Sequence, residues 1–263
     1  MLEWYATHEA REDVYDLSRF HASVIYNAVV LLTGVLAGAV AAVSGFGIGS
    51  LLTPLLTSHV GTKVAVAAVS VPHVIGTAVR FAEMRAHVDG PAFRRFGILS
   101  AVGGLLGALI NAWVRAPVLS VVLGALLLFA GLSGLLGFAE RMRFGRKTAL
   151  VAGALSGLFG GLVGNQGGIR SAGLLGFDLP KERFVATATA VALVVDGARL
   201  PVYVWTEWRA LVGLWPVVLA AVAGVLVGTL GGVRLLKRIP ERVFRPSVSL
   251  LIVALGVYML LHR

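Results

Sequence analysis

The sequence predicts an all-α polytopic membrane protein of two inverted repeats, each a glycine-broken re-entrant helical hairpin plus three transmembrane helices. Three observations carry this. The 263 residues are 57% hydrophobic and only 14% charged, with a mean hydropathy of +0.87, and a soluble domain needs far more charge. Apolar runs close to the roughly 20 residues that span a hydrocarbon core recur at 24–43, 64–82, 96–114, 118–138, 184–205, 214–233 and 247–261. They do not alternate polar with apolar, so they read as helices and not as barrel strands. Finally, residues 34–81 align with residues 153–200 without a gap, at an offset of 119 residues.

Residues 1–23 form an acidic N-terminal segment. Glu3, Glu9, Glu12, Asp13 and Asp16 outweigh Arg11 and Arg19, whereas a cleaved signal peptide needs a basic start. Trp4 and Tyr5 suit an interfacial helix, and a frayed tail suits the composition equally. Residues 24–138 are the first membrane repeat, 139–147 a basic cytoplasmic linker and 148–263 the second repeat. At the 119-residue offset Gly34, Gly38, Gly45 and Gly49 fall on Gly153, Gly157, Gly164 and Gly168, and Arg80 falls on Arg199. Glycine matches arise by chance in so apolar a chain; two arginines in register are harder to dismiss. One residue further along, Ala101, Val102 and Gly104 fall on Ala221, Val222 and Gly224.

Each repeat opens on a glycine-punctuated element, 44–50 in the first and 164–168 in the second. Glycine clusters break helices through backbone entropy and access to positive φ. The apolar run that follows each break lasts only about ten residues, too short to cross, so each element reads as a hairpin returning to the side it entered. Loop charges test this. With both hairpins re-entrant, six spans remain and Lys and Arg divide 14 to 6 between the two sides; full crossing by both gives eight spans and 11 to 9. The positive-inside rule favours six spans and places loops 83–95, 139–147 and 234–245 in the cytoplasm. A seven-span arrangement, re-entrant only in the second repeat, divides 16 to 4 and moves the amino terminus inside. Three spans plus a hairpin is an odd number of crossings, so the repeats are inverted. In such architectures half-helix N-termini meet near the midplane, where their free N–H groups favour anions.

At these two breaks the sequence resembles the TauE/SafE family of sulfite exporters and related organosulfur-anion permeases. Gly45-x-Gly47-x-Gly49-x4-Pro54, followed by 63–81, is similar to that family's first repeat. Residues 164–168, followed by Lys181-Glu-Arg-Phe-Val-Ala-Thr-Ala-Thr189, are similar to its second. Gly173 stands where the second repeat would carry a proline, and Asn165-Gln166 interrupts the glycine run. The resemblance covers about 24–261 and implies a secondary transporter of sulfite, a sulfonate or a similar small anion, coupled to an ion gradient. The partners it implies are that anion, a coupling proton or cation and the lipid bilayer of the cytoplasmic (inner) membrane. A homodimer stays open.

Arg170 follows the second break, where a buried guanidinium needs an anionic partner and its planar fork suits an oxyanion. Its alternatives are snorkelling to the interface or pairing with Asp196. Asn165 and Gln166 offer amide donors to the same oxyanion or to loop carbonyls. Gly47, Gly49 and Gly168 allow close backbone approach. Ser44 and Ser50 offer hydroxyls at the opposing break, though capping the half-helix is the commoner use. Asp196 and Arg199 lie one helical turn apart, as a local salt bridge or as a coupling site that Arg199 modulates. Arg80 lacks such an acid, having Thr77 three residues before it, and both arginines read as gates or as snorkelling side chains. His73, in an apolar span, reads as a packed histidine before a proton carrier.

Other classes fit less well. The net charge of +10 sits between apolar segments as orientation requires, which removes nucleic acid as a partner. The chain has no cysteine, and no metal-ligand cluster or cofactor motif stands out. Ala42-Val43-Ser44-Gly45 is a near miss to a serine-protease loop with His73 as base, but its first glycine is missing and a duplicated chain needs both halves. A retinal protein requires a lysine in the last span, and 247–261 has none. An anion channel of the same architecture remains the alternative to a carrier.

Overall fold

The computed structural model describes residues 2–137, 146–236 and 240–262. Most of the expected linker 139–147, and Lys237 and Arg238 of loop 234–245, lie outside the described residues. Among the described residues all regular structure is helical. Helix α1 (Leu2–Ser44) runs without interruption from the acidic segment into the first apolar run. Gly45 and Gly47 then take φ of 80° and 140°, a region closed to most L side chains, and the chain can restart as α2 (Ile48–Met84). Gly61, at φ 75° and ψ 159°, kinks α2 between its short first segment and the long span after it.

Short turns over 85–97, one of them capped by the Asp89 carboxylate accepting from the Ala92 N–H at 2.9 Å, lead into α3 (Ile98–Trp113). Helix α4 (Ala116–Leu136) has proline at its start and a left-handed glycine, Gly137, at its end, the usual signals for both boundaries. The second half follows as α5 (Arg146–Val163), α6 (Gly167–Leu175), α7 (Lys181–Gly213), α8 (Trp215–Leu236) and α9 (Glu241–Leu261). The helix starts repeat the sequence offset: Ile48 and Gly167 are 119 residues apart, and so are Thr62 after the α2 kink and Lys181.

Among the described residues six helical stretches are long and apolar enough to cross a membrane: Ser23–Ser44, Ile48–His87, Gly90–Trp113, Ala116–Leu136, Lys181–Gly213 and Arg242–Leu261. Ser23–Ser44, expected as one leg of a hairpin, has spanning length, and α8, Trp215–Leu236, covers the expected run at 214–233. Large apolar side chains cover the outer surface, with Trp113 and Trp205 each 88% exposed. Such a surface is soluble only in lipid.

Packing is reciprocal between the halves. Helix α1 lies on α8 as α5 lies on α3; α2 touches α8 as α7 touches α3; α2 meets α7, and α4 meets α9. Glycines let the first two pairs approach to backbone contact. A Cβ at Gly228 would strike the carbonyl oxygen of Val35, and one at Gly161 would strike that of Gly104. Both belong to Gly-x-x-x-Gly spacings, Gly224/Gly228 and Gly157/Gly161, which replace the missing hydrophobic driving force in a membrane with dispersion contacts between backbones. The main core cluster, including Val40, Ile48, Leu52, Leu123, Val163 and Val225, surrounds the first break.

Candidate functional site

The two breaks meet. Gly49, in the first turn of α2, lies so close to the carbonyl of Gly164 that a methyl group would overlap it, and Gly167 sits equally close to the Phe46 side chain. Arg170, on α6, donates from Nη2 to the Gly45 carbonyl at 2.9 Å, clasping the second break to the first. The first intrahelical bonds after each break run from Leu51 to Gly47 and from Arg170 to Gln166. The N–H groups before them therefore have no partner within their own helix.

Around this junction polar atoms accumulate without partners. Asn165, Gln166 and Arg170 are 7%, 3% and 2% exposed. Asn165 Nδ2, Gln166 Nε2 and Oε1, and Arg170 Nε and Nη1 all lack a hydrogen-bond partner, as do Thr53 Oγ1 and Arg80 Nε. Buried donors left unpaired cost about 1–3 kcal/mol each, and native structures keep few of them unless a ligand or water completes the set. A cavity of about 10 Å³, lined by Leu126, Phe129, Ala130, Asn165, Gln166, Gly168 and Ile169, has room for about one water. A larger crevice of about 500 Å³, lined by Leu109, Ala112, Trp113, Pro201, Val202, Trp205 and Thr206, lies on the apolar outer surface and includes none of these donors.

The two symmetry-related arginines turn out to do the same thing. Arg80 Nη1 donates to the Ala41 carbonyl and Arg199 Nη1 to the Gly160 carbonyl, each 39 residues back in its own half. Each thus adds a second donor to a carbonyl in the last turn of the helix that enters its break, one that already accepts from the N–H of Gly45 or Gly164, and a cation there also suits the helix dipole. At 6% and 1% exposure neither snorkels. Their remaining partners differ. Arg199 holds Asp196 Oδ1 through Nε at 3.0 Å and Nη2 at 2.8 Å, which bears out the local salt bridge. Arg80 has only the Thr77 hydroxyl, 3.4 Å from Nη2.

Asp196 also faces His73, whose Nδ1 is 2.7 Å from Oδ2. The alternative pairing of Arg170 with Asp196 is not formed: Asp196 holds His73 and Arg199, and Arg170 bonds the Gly45 carbonyl. Ser44 does not cap α2. Its hydroxyl donates within 2.8 Å of the Val40 and Phe46 carbonyls, and the N-cap position belongs to Gly47 with no side-chain bond. Ser50 is 3% exposed, in the first turn of α2. Gly168 lines the cavity, with a Cβ position 3.4 Å from Ala130 Cβ. Among the described residues no group of acids and histidines could hold a metal.

Three residues of the junction escaped the sequence reading. Tyr203, one turn beyond Arg199, donates to the Gly161 carbonyl, and Asn111 Nδ2 donates to the Leu162 carbonyl at 2.7 Å. Together with Arg199 they donate to three consecutive carbonyls at the end of α5, Gly160, Gly161 and Leu162. Thr53 places its hydroxyl near the Gly49 and Gly164 backbones. A lone asparagine inside the 96–114 run was the signal available, since buried amides demand partners.

A family model for the sulfite exporter TauE/SafE matches residues 30–259, which takes in both breaks and every side chain described above. No curated protein and no solved structure is significantly similar to the chain. The match spans most of the sequence, the helices have the length and apolarity of multi-pass membrane spans, and the protein is a transporter and not an enzyme: the chain belongs to the TauE/SafE sulfite exporter family.

Proposed function

We propose that the protein is a secondary transporter carrying a small sulfur-containing anion, sulfite, a sulfonate or a close relative, across the cytoplasmic membrane. The observation that carries this reading is the set of unpartnered buried donors on Asn165, Gln166 and Arg170, gathered where two broken helices touch. An oxyanion accepts from all of them and from the free N–H groups that begin α2 and α6, so each donor is satisfied only when the anion is bound. Charge agrees. Among the described residues the buried charged side chains are Arg80, Arg170 and Arg199 against one carboxylate, Asp196, and an anion reduces the excess. The 10 Å³ cavity must widen to admit one, which gives the cycle its conformational step.

The halves 24–138 and 148–263 act as inverted repeats, with the breaks as re-entrant hairpins. The repeated helix starts, the reciprocal packing and the paired Arg80 and Arg199 caps support this. His73 and Asp196 form the coupling site: a histidine against a buried carboxylate in a membrane interior is suited to take up and release a proton. Flux of sulfite and small sulfonates into proteoliposomes, with and without an imposed proton gradient, tests the proposal. Saturable uptake that responds to the gradient is expected. Unsaturable, gradient-independent flux would mean a channel, and no flux of any anion would remove the reading.

A further inference from the structure

The two halves differ in one respect that bears on which anion fits. Arg199 is held by Asp196, but at the equivalent place in the first half stands Thr77, and Arg80 touches only neutral groups within hydrogen-bond distance. Arg170 likewise has a single bonded partner, the Gly45 carbonyl. Two guanidiniums, 6% and 2% exposed, thus lack a bonded counter-charge. They are also close together. Arg80 clasps the Ala41 carbonyl and Arg170 the Gly45 carbonyl, and these are successive turns of one helix end, linked by the Gly45 N–H to Ala41 carbonyl bond at 2.9 Å. One helical turn is about 5.4 Å, and the unpartnered Arg80 Nε and Arg170 Nε and Nη1 remain available there.

Resting on the proposed anion site, we infer that Arg80 is a second anion contact and that Arg80 and Arg170 together select a divalent oxyanion over a monovalent one. A monovalent anion leaves one buried guanidinium uncompensated, and that is the costly state in a membrane interior. The symmetry explains how the specificity arose in structural terms: the second half neutralises its capping arginine with Asp196, and the first half leaves its own to the ligand.

The test uses sulfate and methanesulfonate, which share a tetrahedral shape and differ by one charge, in equilibrium binding to the purified full-length protein in detergent. Wild type should bind sulfate about tenfold or more tightly, the scale of one added charge contact in a low-dielectric site. Arg80→Gln retains a donor for the Ala41 carbonyl and should lose that preference, with sulfate weakened about tenfold more than methanesulfonate. Thr77→Asp supplies the missing acid one turn from Arg80, as Asp196 does for Arg199, and should abolish the preference with the arginine still present. Thermal melting checks folding, and either variant suffices if the other fails to fold. Equal wild-type binding of the two anions, or equal weakening of both in the variants, overturns the two-arginine selection while leaving the anion site standing. If wild type binds neither anion, nor sulfite nor any small sulfonate, the anion site falls and this inference with it.

Discussion

His73 Nδ1 and Asp196 Oδ2 lie 2.7 Å apart, joining α2 to α7 across 123 residues of sequence. The same carboxylate holds Arg199, so Asp196 ties one helix of each half to the arginine that caps α5. Asp196→Asn leaves that arginine buried without its counter-charge, a loss of about 3–5 kcal/mol. A clear fall in the thermal midpoint in detergent is expected, with partial recovery in Asp196→Asn with Arg199→Gln. A single variant that melts like wild type would show that the pair adds nothing to stability.

The backbone at the breaks sorts glycines that look alike in sequence. Gly47 has φ 140° and a Cβ position 2.9 Å from Val40 Cγ1, so even Gly47→Ala is strained, by more than about 1 kcal/mol. Gly168 has room for a methyl group beside Ala130, and the cavity it lines holds only about 10 Å³. Transport measured in proteoliposomes should therefore be lost in Gly47→Ala, kept in Gly168→Ala and lost in Gly168→Leu. Normal transport by Gly47→Ala would detach the first break from the mechanism.

Arg170 uses one nitrogen on Gly45 and has two left over. Arg170→Lys keeps the charge and loses the fork. Affinity for sulfite should fall by about one to two orders of magnitude, a charged hydrogen bond being worth roughly 1.5–3 kcal/mol. Arg170→Ala should fall further. Unchanged binding in a folded Arg170→Ala would reduce this arginine to a clasp between the breaks.

Topology is open to chemistry, because the chain has no cysteine to remove. Arg94, Lys181, Arg115 and Arg209 are all exposed. Single cysteines at 94 and 181 should resist a membrane-impermeant thiol reagent in intact cells, while those at 115 and 209 should react. Labelling at 181 would make the second break a full crossing.

Glycine clusters announced both breaks to within a residue or two, because a helix interruption is a local backbone property. The kink at Gly61 was less legible: one glycine between Val60 and Thr62 resembles many that merely pack. Arg170 was placed correctly beside the second break, but its partner Gly45 lies 125 residues away in the other half. The offset between Arg80 and Arg199 was visible as a repeat, yet their common task was not. Both bond carbonyls, which every residue carries, and a backbone acceptor leaves no mark in a sequence. The link from His73 to Asp196 was hidden for a similar reason, since nothing local pairs two lone ionisable groups in separate apolar runs.

The glycine contacts that lock α1 to α8 and α5 to α3 decide which parts can move. Backbones in direct contact cannot slide without opening a void, so each pair behaves as one stiff plank. Each plank joins a helix from the first half of the gene product to one from the second. Any rocking that opens the proposed anion site to one side and then the other must therefore hinge between these mixed planks, at the glycine breaks and the α2–α7 seam, and the units that swing are not the two proposed repeats.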